Sequence, residues 1–312
     1  MIDPTGTVSP QISVITPVFN RPDRVSEILT VLSEQTFQDW ELIVVDDAST
    51  SDMTEARGLL DAHDRAAFIQ MPVNGGPAAA RNAGIAAAKG RFIAFLDSDD
   101  AWHPEKLARQ HAALLALSDP DRGFCVTGTE VRYPGGQTKI EPDRALNPAE
   151  RGAHFLYVEN KFAQCSSFCL GAALLKGPNA IQFEDRLRQY EDHLFFMAAA
   201  DRAAEVVYVD APLSYWINDA RPDRLSTGDD VERGRLFVEI AKEAGLMTPR
   251  EVLAFELRCL GPEIANQHRG KALRLALRGA ADRALPRDAW AKLMLAAVVG
   301  PKTYMRLREA RR

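Results

Sequence analysis

Three carboxylates stand within four residues in Asp97-Ser98-Asp99-Asp100. On a tight turn such groups repel one another unless a cation lies among them. Mg²⁺ and Mn²⁺ take oxygen ligands and often share them with substrate phosphates. The alternative is an acidic cap for a helix predicted to begin near Pro104. The apolar run 92–96 favours a metal site, because it predicts a buried strand that ends at these carboxylates.

A second acidic pair, Asp46-Asp47, also follows an apolar run, residues 41–45. A carboxylate in this position can accept hydrogen bonds from a nucleobase N–H or a ribose hydroxyl. The alternative is an N-cap for the next helix, a role that Ser51 or Asp52 can also fill. Together with the other motifs, the position favours Asp47 as a ligand-binding residue.

The segment 74–82 contains two glycines but does not form GxGxxG. A dinucleotide fingerprint would follow the first predicted strand, where Pro17-Val18-Phe19-Asn20 stands instead, and a nucleotidyltransferase would need a Gly-rich loop there too. The small residues 78–80 allow a helix to pack closely and bring Arg81 towards a nucleotide. Arg81 suits a base or phosphate contact, and the alternative is an ordinary surface arginine.

Glu191-Asp192 stands at the start of a predicted helix. Acids in this position are favourable through the helix dipole alone, so local grounds favour a structural role. The predicted metal and nucleotide site still lacks a general base, and this favours a catalytic role for one of the two acids.

Strand and helix signals alternate over the first hundred residues. The predicted strands are 12–16, 41–45, 67–71 and 91–96, and the predicted helices are 24–35, 52–63 and 78–89, the last ending at Gly90 as its C′ residue. This order predicts an α/β fold with a mostly parallel sheet covered by helices on both faces. Ligands bind at the carboxyl ends of such strands, so we expect the polar clusters 17–21, 46–47 and 97–100 to converge.

The second half is less regular. We expect strands at 124–131, 165–170 and 205–209, a hairpin turn at Pro134-Gly135-Gly136 and a helix at 190–200. Beyond residue 225 the chain is rich in Ala, Leu and Arg with helical spacing, which predicts a helical extension.

The composition is that of an ordinary globular protein, with 312 residues, 46% hydrophobic and 26% charged. A net charge of −5 gives no general reason to expect nucleic-acid binding. The four cysteines form neither a CxxC pair nor a zinc-ligand pattern. The first ten residues lack a signal-peptide pattern, and no run reaches the ~20 apolar residues that span a bilayer. We therefore expect a cytoplasmic protein whose contact with a membrane is peripheral.

Several segments, in the right order, resemble the family 2 glycosyltransferases over about the first two-thirds of the chain. They are Thr16-Pro17-Val18-Phe19-Asn20-Arg21, Gln35-Thr36-Phe37, Glu41-Leu42-Ile43-Val44-Val45-Asp46-Asp47-Ala48-Ser49, Asn74-Gly75-Gly76 with Ala80-Arg81-Asn82-Ala83-Gly84-Ile85, Gly90-Arg91-Phe92-Ile93-Ala94-Phe95-Leu96-Asp97-Ser98-Asp99-Asp100, and Glu191-Asp192. The resemblance implies a GT-A fold in a catalytic domain of residues 1–225. Its nucleotide-binding half would be 10–122 and its acceptor half 123–225, with the helical extension at 226–312.

The resemblance also implies roles for individual residues. The nucleotide-sugar donor, for which a UDP-sugar is favoured, would be contacted by Pro17, Arg21, Asp47, Arg81, Asp97 and Ser98. Asp99 would ligate Mn²⁺ or Mg²⁺ on the donor diphosphate with Asp97 beside it, and Asp192 would be the catalytic base. Direct displacement by the acceptor hydroxyl would then invert the anomeric carbon. A non-catalytic nucleotide-sugar-binding or scaffold protein that retains the fold is the alternative.

The chain departs from the family after Tyr215-Trp216-Ile217, where many members carry a histidine that completes the metal site. Asp219 as a replacement ligand and Arg221 as a direct partner of the diphosphate both stay open. The Gln-x-x-Arg-Trp motif of processive synthases is absent, which favours transfer of a single sugar.

The last forty-odd residues are strongly basic. The cations are Arg269, Lys271, Arg274, Arg278, Arg283, Arg287, Lys292, Lys302, Arg306, Arg308, Arg311 and Arg312, with Trp290, Leu293, Met294, Leu295, Val298 and Val299 between them. A basic amphipathic helix with Trp is typical of a peripheral membrane element, which suits a lipid-linked saccharide acceptor in exopolysaccharide or cell-envelope synthesis. The alternatives are a helical cover on the core and a homodimer contact.

Overall fold

The computed structural model describes residues 9–217 and 230–300. These residues form two compact units. The first unit comprises 9–149 and 162–217, and the second comprises 150–161 and 230–300. Residues 150–161 therefore belong to the second unit, although the sequence-based division assigned them to the acceptor half.

The first unit is built on one nine-stranded sheet. Its strands are β1 (Ile12–Val18), β2 (Trp40–Asp46), β3 (Ala66–Gln70), β4 (Phe92–Phe95), β5 (Ala101–Trp102), β6 (Gly123–Arg132), β7 (Thr138–Glu141), β8 (Phe168–Gly171) and β9 (Glu205–Ile217). The order is β3-β2-β1-β4-β8-β6-β9-β5, with β7 paired to β6. The helices are α1 (Arg24–Ser33), α2 (Thr54–Asp61), α3 (Gly76–Ala87), α4 (Lys106–Leu115) and α5 (Glu191–Arg202). This arrangement confirms the predicted α/β class.

Strands β1 to β4 are mutually parallel, as the alternation of strands and helices predicts. Their side chains are apolar on both faces, and Ile12, Val14, Val44 and Phe92 are fully buried. Strand β8 lies antiparallel between β4 and β6, so the order of the sheet reverses beside β4. The carboxyl end of β4 is therefore where a ligand is expected.

Strand β9 extends eight residues beyond the predicted end at 209. It follows β6 in parallel register as far as Arg132 and Ile217, with register shifts around Gly128 opposite Pro212. A bulge accommodates proline, which cannot donate to the ladder. Sequence periodicity alone predicts a strand that ends before this proline.

Gly90 does not serve as the predicted C′ residue, because α3 ends at Ala87 with Ala88 as its C-cap. A Cβ on Gly90 would lie 2.5 Å from the backbone nitrogen of Ser13. The Gly90 N–H also donates to the Ser13 hydroxyl at 2.7 Å. Glycine is therefore required for close approach of the chain to β1 and not for helix termination.

The second unit is helical in its described part. It contains α6 (Val231–Glu243), α7 (Pro249–Phe255), α8 (Gly261–Gln267), α9 (Arg269–Ala281) and α10 (Arg287–Val299), with π-helical segments at His154–Val158 and Glu256–Leu260. Thr248 and Glu251 form a capping box at the start of α7. Tyr157 packs edge-on against Phe255 within this unit, with ring centroids 5.0 Å apart. Across residues 9–217 and 230–300, no helix has the length and apolarity to cross a bilayer.

Candidate active site

The predicted polar clusters meet at one edge of the sheet. Strands β2, β1 and β4 are parallel neighbours, so the residues that follow their carboxyl ends lie side by side. The Arg21 guanidinium donates to the Ser98 hydroxyl at 3.2 Å and lies 3.3 Å from the Asp99 carboxylate. Pro17 lies in β1 opposite Val45 of β2. The fold thus brings Arg21 and Asp99 into contact although they lie far apart in the sequence.

Asn20 joins the loops that follow β1 and β2. It has a left-handed backbone with φ of 55°, and its N–H donates to the Ser49 hydroxyl at 2.7 Å. Its side-chain oxygen accepts from the N–H groups of Thr50 and Ser51 at 2.8 and 3.1 Å. These hydrogen bonds hold the backbone of Asn20 in place, and with it the start of the next residue, Arg21.

Asp47 organises the turn that precedes α3. Its two carboxylate oxygens accept from the N–H groups of Gly75 and Gly76, each at 2.7 Å. Gly76 has φ of +82°, and a Cβ on it would lie 2.2 Å from an Arg188 guanidinium nitrogen. The carboxylate of Asp47 is therefore held by backbone donors, and each oxygen retains acceptor capacity for a further bond.

Arg81 is buried, with 4% of its surface exposed, in contrast to the surface alternative that the sequence left open. Its guanidinium donates to Asp97 at 2.6 Å and to Glu191 at 3.2 Å. It also lies over the Phe183 ring, 5.1 Å from the centroid. Arg81 therefore joins the turn after β4 to the first turn of α5.

The carboxyls around Arg81 have perturbed acidities. Burial raises the pKa of Asp97, Arg81 opposes the rise, and the negative charges of Asp99 and Asp192 add to it. Burial also raises the pKa of Glu191 to about 7, with the charge on Asp192 adding to the rise and Arg81 opposing it. Carboxyls whose pKa is raised by burial and by a neighbouring negative charge are typical of functional clefts.

Asp192 lies in the first turn of α5, as predicted. The preceding Tyr190 is left-handed, with φ of 67°, so the chain turns sharply just before the two acids. One Asp192 oxygen accepts from the His193 N–H at 2.8 Å. The side chain is half-buried, and its charge acts on Asp97. These facts place Asp192 beside the cluster that contains Asp97 and Asp99.

Asp100 has a supporting role in the turn. Its carboxylate accepts from the Ser166 hydroxyl at 2.5 Å and from Gln164. The Asp97 N–H donates to the same hydroxyl at 3.0 Å. Ser166 and Gln164 thereby tie the acidic turn to the chain just before β8.

The acidic turn suits a divalent cation by its donor chemistry. Asp97 and Asp99 offer carboxylate oxygens at the strand end, and a cation bound there would take its other ligands from water or phosphate. Within the described residues, no group of three His, Cys, Asp or Glu side chains is arranged to hold a metal. Asp219 and Arg221, the proposed substitutes for the family's histidine, lie outside the described residues.

Some contributors to the site escaped sequence inspection. The sequence predicts a base role for Asp192 and none for Glu191, which the structure shows to be the buried partner of Arg81. Asn82 exchanges two hydrogen bonds with the backbone of Phe183 and so fixes the ring beneath Arg81. In the sequence, Asn82 and Glu191 could have been noticed only because each stands next to a predicted site residue, Arg81 or Asp192. The residues that they contact lie about a hundred positions away along the chain.

A family model described as "Glycosyl transferase family 2" matches residues 13–175. The chain belongs to this family. The match spans β1 to β8 and includes the acidic turn. Family membership confirms the resemblance drawn from the motifs.

Individual relatives come from bacterial polysaccharide synthesis. The amylovoran biosynthesis glycosyltransferase AmsB of Erwinia amylovora is 25% identical over 253 residues, which are 78% of this chain and 81% of AmsB. The Escherichia coli enzyme WfgD, a UDP-Glc:α-D-GlcNAc-diphosphoundecaprenol β-1,3-glucosyltransferase, is 39% identical over 104 residues, 33% of this chain and 41% of WfgD. The chain spans half or less of the length of several other curated relatives that it matches.

Solved structures share the fold. Residues 1–349 of S. aureus TarS in complex with UDP-GlcNAc superpose with a TM-score of 0.63 at 23% identity, covering 93% of this chain and 92% of that one. The mannosyltransferase PcManGT of Pyrobaculum calidifontis, with GDP-Man and Mn²⁺, gives 0.58 at 19% identity, covering 96% and 84%. At these identities the likeness concerns the fold alone, and it confirms the predicted GT-A architecture.

Proposed function

We propose that this family 2 glycosyltransferase moves one sugar from a nucleoside-diphosphate sugar to an acceptor hydroxyl, with inversion. The observation that carries the proposal is the grouping of Asp97, Asp99 and Asp192 with Arg21 and Arg81 at the carboxyl edge of β4. This edge is where doubly wound sheets bind ligands.

The donor nucleotide is assigned to the nucleotide-binding half, residues 10–122. Asp47 and its glycine turn offer acceptors to a base or ribose, and Pro17 lies at the end of the neighbouring strand. Arg21 offers N–H donors to a diphosphate, and Ser98 and Asp97 are assigned to the ribose. A UDP-sugar is the favoured donor, since TarS is solved with UDP-GlcNAc and WfgD is named for UDP-Glc.

Asp97 and Asp99 are the residues assigned to a bound Mn²⁺ or Mg²⁺, and PcManGT is solved with Mn²⁺. Such a cation supplies charge stabilisation to a departing diphosphate, worth several kcal/mol. Arg21 pairs with the Asp99 carboxylate at 3.3 Å, so it offsets part of the negative charge of the acidic turn.

Asp192 is assigned as the general base. It accepts the proton of the acceptor hydroxyl while that oxygen forms its bond to the anomeric carbon and the bond to the leaving diphosphate oxygen breaks on the opposite face. A positioned base contributes ~10²–10⁴-fold. Glu191 and Arg81 hold the base's helix against the acidic turn, so the base is presented on a fixed element.

The acceptor is assigned to the part of the first unit that follows residue 122, and to the chemistry of a glycan or a lipid-linked saccharide. Support comes from AmsB and WfgD, which are named for amylovoran biosynthesis and for a diphosphoundecaprenol substrate. The corresponding location is the inner face of the cytoplasmic membrane, with contact through the basic C-terminal helices. A homodimer contact on those helices is the other use proposed for them.

A panel of UDP-, GDP- and TDP-sugars, each with Mn²⁺, Mg²⁺ or EDTA, tests the proposal. Thermal shift reports binding, and release of the nucleoside diphosphate reports turnover. We expect one nucleotide to stabilise the protein and one sugar to be hydrolysed slowly without an acceptor. Tight nucleotide binding with no turnover on any donor or glycan acceptor would overturn the enzymatic proposal.

A further inference from the structure

A polar cavity with a volume of about 340 Å³ lies in the first unit, away from the acidic turn. Arg122, Lys176, Asn179 and Arg202 line it, and Leu174 forms part of its wall. We call it the distal basic cavity. Its volume is within the range of small-molecule sites, which begins near ~300 Å³.

The cavity lies at the other edge of the sheet from the donor site. Phe92, at the amino end of β4, pairs with Gly171, which lies two residues before the cavity segment 173–179. Asp97 lies five residues further along the chain, beyond the carboxyl end of β4. At ~3.3 Å per residue the two regions are ~15 Å apart, so a ligand in one leaves the other open.

The charge of the cavity is uncompensated. Arg122, Lys176 and Arg202 make no ion pair within residues 9–217 and 230–300. The nearby acid Asp121 pairs with Arg91 at 2.5 Å, so its charge is already matched. Three cations around one cavity in a chain of net charge −5 form a local positive field that attracts anions.

Two of these cations are held in place by backbone carbonyls. Lys176 donates to the carbonyl of Ala88, at the end of α3, and Arg202 donates to the carbonyl of Asn179. An ammonium has three donors and a guanidinium five, so both keep N–H groups for a ligand. Each bond ties one exposed side chain to the backbone beside the cavity and leaves its other donors directed to the solvent side.

We propose that the distal basic cavity is a second anion site, which takes the phosphate group of a phosphate or a phosphate ester. Three cations that line one cavity match a group that carries about −1.5 to −2 charges and three acceptor oxygens better than they match a single carboxylate. The site is independent of the donor chemistry, since it shares no residue with the acidic turn. Its ligand is free phosphate, a soluble phosphate ester or a lipid headgroup of the same chemistry.

Titration with inorganic phosphate and glycerol 1-phosphate by calorimetry, in EDTA, tests the site. The triple variant Arg122→Gln, Lys176→Gln, Arg202→Gln is compared with Arg57→Gln, Arg109→Gln, Arg233→Gln, which makes the same change in net charge at cations paired with Asp61, Glu105 and Asp230. We expect the first to lose at least about tenfold in phosphate affinity while binding UDP like wild type. The control should keep its phosphate affinity.

Arg122→Gln alone guards against misfolding, because the Arg122 side chain makes no hydrogen bond within the described part of the chain. It should weaken phosphate binding severalfold. Vesicles of phosphatidylcholine with and without phosphatidylglycerol separate the sources. If only the cavity triple variant binds the phosphatidylglycerol vesicles more weakly than wild type, the ligand is a lipid headgroup. If its vesicle binding is unchanged, the ligand is a soluble phosphate. The proposal is overturned if wild type binds no phosphate, or if either cavity variant binds it like the control.

Discussion

At the scale of single residues, Asp192 carries the most direct test of the mechanism. Asp192→Asn keeps the size and the bond from His193 but cannot accept a proton. We expect kcat to fall by ~10²–10⁴-fold with donor affinity close to wild type. Steady-state kinetics and a donor titration measure the two effects. Asp201→Asn, on the same helix α5, is the matched control, and loss of donor affinity with kcat preserved would remove Asp192 from the base role.

Asp99 tests the metal assignment. Asp99→Asn removes a charged oxygen ligand and also the ion-pair partner of Arg21. We expect donor binding to become weak and insensitive to Mn²⁺, since the remaining carboxylate of Asp97 is shared with Arg81. Titrations with and without EDTA measure this effect, with the exposed Asp64→Asn as control. Full activity with an unchanged metal requirement in Asp99→Asn would show that the acidic turn does not hold the cation.

Glu191 should make stability depend on pH. Its pKa is about 7 in the folded protein and near 4.5 otherwise, so between these values the folded state binds more protons than the unfolded state. Stability is therefore lost as pH rises from about 4.5 to 7, with an upper bound of ~3 kcal/mol. Glu191→Gln removes this dependence, although it also perturbs Arg81 at every pH.

Urea unfolding of wild type and Glu191→Gln from pH 5 to 8 measures that difference. The stability advantage of wild type over the variant should shrink as pH rises. A constant difference across this range would mean that Glu191 is ionised throughout. Glu191 is no neutral control for Asp192, because it is buried and forms an ion pair with Arg81.

At the scale of elements, the contact between α3 and β1 positions Arg81. A Cβ on Gly84 of α3 would lie 2.4 Å from Cγ2 of Ile15, a stiff β-branched side chain. Gly84→Ala should therefore destabilise the protein by about 1–3 kcal/mol through overpacking. Gly58 in α2 has nothing within 4 Å of the same position, so Gly58→Ala should stabilise by about 0.5–1 kcal/mol. Urea unfolding of the two variants measures their free energies of unfolding relative to wild type. A change of the same sign in Gly84→Ala and Gly58→Ala would contradict the argument that α3 packs closely on β1.

The parallel half of the sheet could be predicted from the sequence almost to its ends. Strands β1, β2 and β4 are apolar runs that end in polar clusters, so both their type and the position of the site follow from local pattern. The Arg81–Glu191 pair could not be predicted, because it joins residues 110 positions apart through tertiary packing. The extension of β9 past Pro212 could not be predicted either, because it depends on tertiary pairing. The register shift that accommodates this proline is visible only in the pairing of β9 with β6.

At the scale of the whole molecule, the basic helices α9 and α10 are the surface that we propose to contact a membrane or a second copy of the chain. The exposed cations of α9 and α10 include Arg274, Arg278 and Lys292, while Leu293 is buried against Gly261 within the second unit. Deletion of α10 would expose this packing, so truncation is a poor test of membrane contact. Leu295 and Val298 are the useful positions, with 44% and 60% of their surfaces exposed.

Leu295→Asp with Val298→Asp should therefore weaken binding to anionic vesicles without unfolding the protein. The two side chains are three residues apart and share a helix face beside cations worth about 1 kcal/mol each at an anionic surface. Loss of two apolar contacts should reduce the partition by at least about tenfold. Co-sedimentation at low and high salt measures it, with Leu115→Asp as control, since Leu115 is also 44% exposed but lies on α4. If wild type ignores anionic vesicles, or if the double variant binds like the control, the exposed face of α10 does not contact lipid, and a contact between copies becomes the use to test by sedimentation equilibrium.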